Sequence, residues 1–261
     1  MFRTLPETNP AEFAEKRALV TGGSRGIGAA IVQRLLDGGA TVVTTARTHT
    51  DTTPSTAVFV VGDISTPAGA RALAEETLGA LGGGVDIIVN NAGAARAHLL
   101  GADQIPDDEW EDSLALNYLS AVRVNNALLP ALRKSSEASI INISSAAALI
   151  AAPGLIHYGA AKAALIAYSK SLATELAPAG VRVNAITPGN VLTPGADEIR
   201  QTLADATNVS LEQMTATVPL GRAGDPRDIA EMVAYLASPR AQWITGANFI
   251  VDGGEHPATF G

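Results

Sequence analysis

The sequence predicts a single domain of the α/β class, a doubly wound parallel sheet of seven strands with helices on both faces. Short apolar segments alternate with segments of helical periodicity along the chain. Most of these apolar segments are continuous, which is typical of strands buried on both faces of a parallel sheet. No linker-like change in composition and no internal repeat divides the 261 residues. A chain of this length buries enough surface to fold without disulfides or metal ions.

The strands are predicted where β-branched and aliphatic residues cluster. They are Ala18–Thr21, Thr41–Ala46, Ala57–Val61, Val85–Asn90, Ser139–Ser144, Val181–Ile186 and Ala247–Val251. Helices fill the intervals, because apolar residues there recur on one helical face. Thr66-Pro67 and Asp225-Pro226 each indicate a helix start, with a capping side chain before a proline in the first turn.

One segment interrupts the alternation of strands and helices. Residues 190–219, from Asn190 to Pro219, are predicted as one or two short helices outside the sheet, and a long excursion of this kind is often a substrate lid. We expect residues 1–15 to be an N-terminal extension and residues 16–261 to form the domain.

Composition excludes several classes of partner and chemistry. The net charge of −8 disfavours nucleic acid and anionic membrane surfaces. The absence of cysteine excludes disulfides, thiolate catalysis and cysteine-bound zinc. The N-terminus lacks a signal pattern, and no apolar run approaches the ~20 residues that span a bilayer. We therefore expect a cytoplasmic protein without nucleic-acid or membrane partners.

A glycine-rich loop follows the first predicted strand and opens a helix, from Thr21 through Gly22, Gly26 and Gly28. Glycine allows a tight turn and close approach to a ligand, and a helix N-terminus offers free N–H groups to an anion. The glycine spacing differs from the G-x-G-x-x-G form, and a purely structural turn is the alternative. The position between strand and helix predicts dinucleotide binding.

The end of the second strand predicts NADP(H) rather than NAD(H). An acidic residue about 20 positions after the glycines would accept the ribose hydroxyls of NAD. The strand instead ends in Ala46-Arg47, and Asp51 lies beyond it in a Thr-rich turn. Arg47, together with Arg25 from the glycine loop, can hold a 2′-phosphate through its planar fork of donors. Two solvated surface arginines are the alternative interpretation.

Tyr158 and Lys162 are candidates for acid–base chemistry. They lie four residues apart in a predicted helix from Ile156 to about Ala177, and therefore share a face. Hydride transfer to a carbonyl needs a proton for the developing alkoxide. An ammonium beside a phenol is expected to lower the phenol pKa toward the working range. The pair could also be an ordinary exposed Tyr and Lys.

Two further polar residues fit the same chemistry. Ser145 follows the fifth strand, at the sheet edge where ligands bind, and can hydrogen-bond a substrate oxygen. Ser144 is the less favoured serine, and a capping role is the alternative for Ser145. Asn117 is predicted to point inward, where it either holds a water that links Lys162 to solvent or bonds to backbone as a core residue.

These motifs, taken in order, resemble the short-chain dehydrogenase/reductase family from about Lys16 to Gly254. They are Thr21–Gly28, Asn90-Asn91-Ala92-Gly93, Asn117, Ser145 with Tyr158-x-x-x-Lys162, Pro188-Gly189, and the tail from Thr245-Gly246 to Val251-Asp252-Gly253-Gly254. The resemblance implies a seven-stranded Rossmann fold and an NADP(H)-dependent oxidoreductase that reduces a ketone, with Tyr158 as general acid. It also implies a homo-oligomer, a tetramer or dimer, to which the Ala-rich helix from Ala160 to Ala177 could contribute.

The resemblance also implies the site residues. The catalytic tetrad is Asn117, Ser145, Tyr158 and Lys162. The cofactor contacts are Thr21, Gly22, Ser24, Arg25, Gly26, Ile27, Gly28, Arg47, Asp63, Ile64, Asn91, Ala92, Gly93, Tyr158, Lys162, Pro188, Gly189, Val191 and Thr193. Lys162 is implied to hold the nicotinamide ribose, Asp63 to face the adenine, and Val191 and Thr193 to touch the carboxamide end.

Rival functions and the substrate stay open at this point. The rivals are a dehydratase or epimerase on a related scaffold and a nucleotide-sensing protein without turnover. The four histidines, at 49, 98, 157 and 256, show no metal-ligand spacing, so no metal site is expected. Selectivity is expected to reside in Ala94–Ile105, Ala146–His157 and residues 190–219, which are largely apolar and favour a hydrophobic or mixed small-molecule carbonyl substrate.

Overall fold

A computed structural model of the chain describes residues 8–207 and 218–256, and all seven predicted strands are present in it. They are β1 (Arg17–Thr21), β2 (Thr41–Ala46), β3 (Val58–Val61), β4 (Ile87–Asn90), β5 (Ser139–Ile143), β6 (Arg182–Pro188) and β7 (Asn248–Val251). They form one sheet in the order β3-β2-β1-β4-β5-β6-β7, and every neighbouring pair is parallel. The predicted fold class is confirmed.

Seven α-helices are found among the described residues. They are α1 (Gly26–Asp37), α2 (Pro67–Ala80), α3 (Asp107–Leu114), α4 (Ser120–Leu132), α5 (Ile156–Leu176), α6 (Pro194–Thr207) and α7 (Pro226–Ala237), with a π-helical turn at Ala115–Leu119 joining α3 to α4. Both predicted helix starts are confirmed. The Thr66 hydroxyl accepts a hydrogen bond from the Gly69 N–H, and Asp225 forms a capping box with Asp228.

The core consists of two apolar layers, one on each face of the sheet. Successive strand residues point to opposite faces, so Val20 packs into one layer and Leu19 into the other. The first layer is closed by α1 and α7, which contribute Ile31 and Val233 among others. The second is closed mainly by α2, α4 and α5. The continuous apolar strands of the sequence are explained by this two-sided burial.

Strand order places the ligand crevice. Because β1 lies between β2 and β4, the connections that leave β1 and β4 diverge to opposite faces and open a gap at the carboxyl edge of the sheet. The glycine-rich loop follows β1 at this edge, and Ser145 follows β5. The predicted site residues are thereby brought to one side of the molecule.

The described parts of the expected N-terminal extension and of the expected lid both pack against the rest of the domain. Phe13, within the expected N-terminal extension, is buried in the layer closed by α1, and its N–H donates to the Gly38 carbonyl at 2.6 Å. Residues 194–207 of the expected lid form α6, while residues 208–217 lie outside the described part of the chain. Within the described ranges, no helix is both long enough and apolar enough to cross a membrane.

Candidate active site

A cleft of about 770 Å³ lies along the carboxyl edge of the sheet. Its size suits an extended small-molecule ligand, since such sites usually measure roughly 300–1,000 Å³. All the predicted site residues line it except Thr21 and Asn117. Residues from α6, including Glu198 and Ile199, line its outer wall, so the described part of the expected lid does border the cleft.

The glycine-rich loop is held by the segment after β4. The Asn91 amide donates to the carbonyls of Thr21 and Gly22, at 3.0 and 3.2 Å. Gly22 adopts a φ of +71°, which favours glycine, and a Cβ on Gly28 would stand 2.1 Å from the Gly22 carbonyl oxygen. The glycines are therefore required by the loop's own backbone, which turns tightly into the N-terminus of α1.

Thr21 supports the cleft without lining it, and its expected direct cofactor contact stays a prediction. Its side chain is buried, and its hydroxyl accepts hydrogen bonds from the backbone N–H groups of Asn91 and Ala92, both at 3.0 Å. The hydroxyl is occupied in joining the ends of β1 and β4. Its role is to fix the spacing between the glycine loop and the Asn91 segment.

Three polar side chains meet at the inner end of the cleft. Tyr158 and Lys162 share one face of α5, and the Lys162 Nζ lies 5.9 Å from the centre of the Tyr158 ring. The Ser145 hydroxyl lies close enough to the Tyr158 phenol to lower its pKa, and its oxygen accepts a hydrogen bond from the Ala147 N–H at 3.3 Å. Ser144 is used differently, because its hydroxyl donates to the Lys162 carbonyl at 3.1 Å. Ser145 is thus the serine that faces the phenol, as the sequence favoured.

Comparison with known proteins identifies this arrangement. A family model described as enoyl-(acyl carrier protein) reductase matches residues 22–256. The 3-oxoacyl-(acyl-carrier-protein) reductase FabG of Vibrio cholerae is 40% identical over 252 residues, covering 92% of this chain and 96% of that protein. A solved structure described as a short-chain dehydrogenase/reductase, from Burkholderia xenovorans, is 30% identical with a TM-score of 0.86, covering 94% and 98% of the two chains.

The chain belongs to the short-chain dehydrogenase/reductase family. A more distant structural relative, the aldohexose dehydrogenase of Thermoplasma acidophilum, is 28% identical with a TM-score of 0.84 and covers 96% of this chain and 99% of that one. The predicted family and the predicted oxidoreductase activity with a nicotinamide cofactor are confirmed. The roles of individual residues stay predictions.

The pKa values in this reductase differ from the expectation that Lys162 lowers the pKa of Tyr158. Burial raises the pKa of the Tyr158 phenol, and the nearby Ser145 hydroxyl acts in the opposite direction. Burial also lowers the pKa of Lys162 from 10.5 to about 8. The Lys162 ammonium donates to the Ile143 carbonyl at 2.8 Å. Desolvation disfavours the charged form of both groups, and its influence on the pKa of Tyr158 outweighs the expected lowering by the Lys162 ammonium.

Asn117 is a buried backbone-bonding residue in this structure. Its Nδ2 donates to the carbonyls of Ala94 and Ser113, at 2.9 and 3.0 Å, and its Oδ1 accepts from the Ala94 N–H at 3.1 Å. Of the two interpretations left open, these contacts favour the core asparagine over a water-holding one. A Cβ on Gly93 would meet both Asn117 Oδ1 at 2.8 Å and Lys162 Nζ at 3.2 Å, so Gly93 lets the two groups approach.

Arg25 and Arg47 lie at the opposite end of the cleft from Tyr158, as the adenosine end of a dinucleotide requires. Both are exposed and line the cleft, and neither forms an ion pair with a carboxylate in the described ranges. Asp63 also lines this end, and its pKa is lowered mainly by hydrogen bonds from Ser65 and further by the charge of Arg47. Asp51 does not line the cleft. The guanidinium groups are thus available to an anion.

Sequence reasoning missed two features of the site. The Thr50 hydroxyl donates to the Ser24 carbonyl at 2.5 Å and lines the cleft, so the Thr-rich turn after β2 braces the glycine loop. The clustering of threonines directly after the predicted strand was the available signal. Asp112 lines the cleft from α3 and was not among the predicted site residues. Its position depends on how α3 packs, which local patterns do not report.

The lowered pKa of Lys162 predicts a pH-dependent affinity for NADPH. If Lys162 holds the ribose as an ammonium, binding is strongest below pH 8 and weakens by at most about tenfold per pH unit as the pH rises through about 8. The Kd of NADPH, followed by its fluorescence between pH 6.5 and about 9.5, checks this. A Lys162→Met variant should show a flat profile, and an unchanged slope in that variant would contradict the assignment.

Proposed function

We propose that this short-chain dehydrogenase/reductase reduces the ketone of a 3-oxoacyl thioester to the 3-hydroxyacyl compound with NADPH. The observation that carries the proposal is that Ser145 and Tyr158 both line the cleft, with the Ser145 hydroxyl close enough to the phenol to lower its pKa. Two hydroxyls there can meet one carbonyl oxygen. The 40% identical relative named as a 3-oxoacyl-(acyl-carrier-protein) reductase supports the choice of substrate class.

The residues present suit a nicotinamide dinucleotide, since a helix N-terminus and two arginines stand at one end of the cleft and the Ser–Tyr–Lys cluster at the other. When bound, NADPH supplies the hydride. Ser145 orients the substrate carbonyl, and Tyr158 donates its phenolic proton to the oxygen that becomes the alcohol. The ammonium of Lys162 holds the ribose and stabilises the phenolate that Tyr158 becomes. The phenol then regains a proton from solvent, which balances the reaction.

The three segments that border the cleft favour a substrate with an apolar chain. Large apolar side chains remain exposed on each of the three segments that were expected to set selectivity. They are Leu99, Leu100, Ile150, Ile156 and Leu192, and Leu100 is 87% exposed. None of these five side chains lines the cleft itself, but each of the three segments contributes cleft-lining residues, so the exposed side chains next to them are proposed as a substrate rim. An acyl chain would cover this surface, whereas a bare sugar would not.

The decisive experiment is a comparison of substrates at a fixed cofactor concentration, with NADPH for the two reductions and NADP⁺ for the oxidation. A 3-oxobutanoyl thioester is expected to be turned over at least about tenfold more efficiently, in kcat/KM, than either a 2-butenoyl thioester or an aldohexose tested in the oxidative direction. The two comparison substrates represent the enoyl reductase description and the aldohexose relative. Preference for either of them would overturn the proposed substrate class without affecting the family assignment.

The choice of NADPH over NADH is expected to depend on Arg47. An Arg47→Ser variant should lose at least about tenfold in kcat/KM for NADPH, because a charge-assisted hydrogen bond to the 2′-phosphate contributes about 1.5–3 kcal/mol. Its kcat/KM for NADH should change little. Arg71→Ser is the matched control, since Arg71 is an exposed arginine that does not line the cleft. Equal losses with both cofactors would mean that Arg47 does not read the phosphate.

We also infer that the protein acts in the cytoplasm as a homo-oligomer, a tetramer or dimer. The outer side of α5 supports self-association, because small side chains there are exposed or half-buried and allow close approach of a second helix. They are Ala160, Ala163, Ala164 and Ala167. Sedimentation of the purified chain tests the inference, and a monomer at micromolar concentration would refute it.

A further inference from the structure

Three side chains with metal-ligating atoms meet beside the first turn of α5. His98 comes from the segment between β4 and α3, Glu109 from the first turn of α3, and His157 from the first turn of α5. One ligand atom from each lies within 4.8 Å of the others. The sequence showed no metal-ligand spacing because the two histidines are far apart along the chain. The fold brings them together on the side of α5 next to Tyr158.

The distances within this cluster are too long for hydrogen bonds. Glu109 Oε1 lies 3.9 Å from His98 Nε2 and 3.7 Å from His157 Nε2. The two imidazole rings meet edge to face with their centres 5.2 Å apart. The other carboxylate oxygen, Oε2, accepts a hydrogen bond from Arg96 at 3.2 Å. Oε1 is therefore the oxygen that faces the two histidines.

Burial makes this arrangement costly for the protein unless another group completes it. His157 is 1% exposed, and both its Nδ1 and the Nε2 of His98 are buried without a hydrogen-bond partner. A buried polar atom left unpaired costs about 1–3 kcal/mol. His98 Nε2 is thus an unpaired atom that faces the Glu109 carboxylate without bonding to it, while His157 turns its Nε2 toward the same oxygen and leaves its Nδ1 unpaired on the other side of the ring. A ligand bound between His98 and Glu109 would give His98 Nε2 the partner that it lacks.

We propose that His98, Glu109 and His157 form a binding site for a divalent transition-metal ion, with Zn²⁺ as the best match. Imidazole nitrogens and a carboxylate oxygen are ligands that zinc prefers. Ligands about 2.0–2.2 Å from a tetrahedral zinc ion stand roughly 3.3–3.6 Å apart. The two observed separations from Glu109 Oε1 are only a few tenths of an ångström longer. A water molecule would supply the fourth ligand.

Metal binding here would act on the reductase through the segment that carries His98. The His98 N–H donates to the Gly154 carbonyl at 2.9 Å, so this segment already contacts the turn before α5. A bound ion would fasten it to α3 and α5 as well. The same segment carries Leu99 and Leu100 of the substrate rim. The ion is thus expected to stabilise the fold and to restrain one wall of the substrate site, beside the catalytic Tyr158.

The test uses the full chain without a histidine tag, after treatment with a chelator. Zn²⁺ is titrated by calorimetry, and Co²⁺ is used as a spectroscopic substitute whose visible absorption reports tetrahedral ligation. The variants are His98→Ala and Glu109→Gln, because both side chains are partly exposed and tolerate replacement better than His157. His49→Ala is the matched control, since His49 is exposed and lies outside the cluster.

We expect one Zn²⁺ per chain with a Kd below about 10 µM, a tetrahedral Co²⁺ spectrum and a higher Tm with zinc. Each cluster variant should weaken binding at least about tenfold, and His49→Ala should bind as the wild type does. Stoichiometric binding that survives both cluster variants would place the ion elsewhere, and the absence of binding at about 100 µM would overturn the site. None of these measurements requires turnover, so the site and the proposed ketone reduction can fail independently.

Discussion

Replacing Tyr158 by Phe is expected to lower kcat for ketone reduction by about 10²–10⁴-fold, because the variant cannot donate a proton to the developing alkoxide. The ring itself remains, so packing on Lys162, 5.9 Å from the ring centre, is retained. The Kd of NADPH and the Tm should therefore stay close to the wild-type values. Stopped-flow measurement of NADPH oxidation, with fluorescence titration of the cofactor, separates the two effects.

Tyr235→Phe is the matched control for this experiment. Tyr235 lies on α7, is half-buried, and does not line the cleft. Its loss of a hydroxyl should leave kcat unchanged. A Tyr158→Phe variant that retains more than about a tenth of the wild-type kcat would show that another group donates the proton. The most direct alternative donor would then be Ser145, whose hydroxyl lies close enough to the phenol to lower its pKa.

Adding a single methyl group at Gly28 is expected to disable the cofactor site. In a Gly28→Ala variant the new Cβ would stand 2.1 Å from the Gly22 carbonyl oxygen and 2.5 Å from Asn91 Nδ2. The first neighbour is backbone and cannot rotate away, so the glycine loop must move. Overpacking of this kind costs about 1–3 kcal/mol of stability. A displacement of about 1 Å at the cofactor is expected to lower kcat/KM for NADPH by about 10²-fold.

Gly79→Ala provides the comparison, because Gly79 lies in α2 with nothing within 4 Å of its added Cβ. That substitution should raise the stability by up to about 1 kcal/mol through helix propensity and leave kcat/KM unchanged. Denaturant unfolding and steady-state kinetics of both variants check the pair. Normal activity in Gly28→Ala would show that the loop has room that the structure does not indicate.

The sequence by itself determined the fold class, the order of the elements and most of the cleft lining. Strands buried on both faces are continuous in apolar residues, and helix starts carry their own caps, so both are readable locally. In a doubly wound parallel sheet the strand ends converge on one edge. A residue that follows a strand, such as Ser145 or Arg47, could therefore be assigned to the cleft without knowledge of any contact.

Only the tertiary structure decided how several of these side chains are used. Thr21 and Asn117 point to backbone groups distant in sequence, and so support the cleft from behind its wall. The pKa of Lys162 falls because the surrounding helices and strands exclude water from its ammonium group. This burial cannot be predicted from the four-residue spacing between Tyr158 and Lys162. The cluster of His98, Glu109 and His157 exists because three separate elements pack at one point. The periodicity of a segment shows on which face of its own helix or strand a residue lies. The burial of that residue and its contacts depend on segments distant in sequence, about which periodicity carries no information.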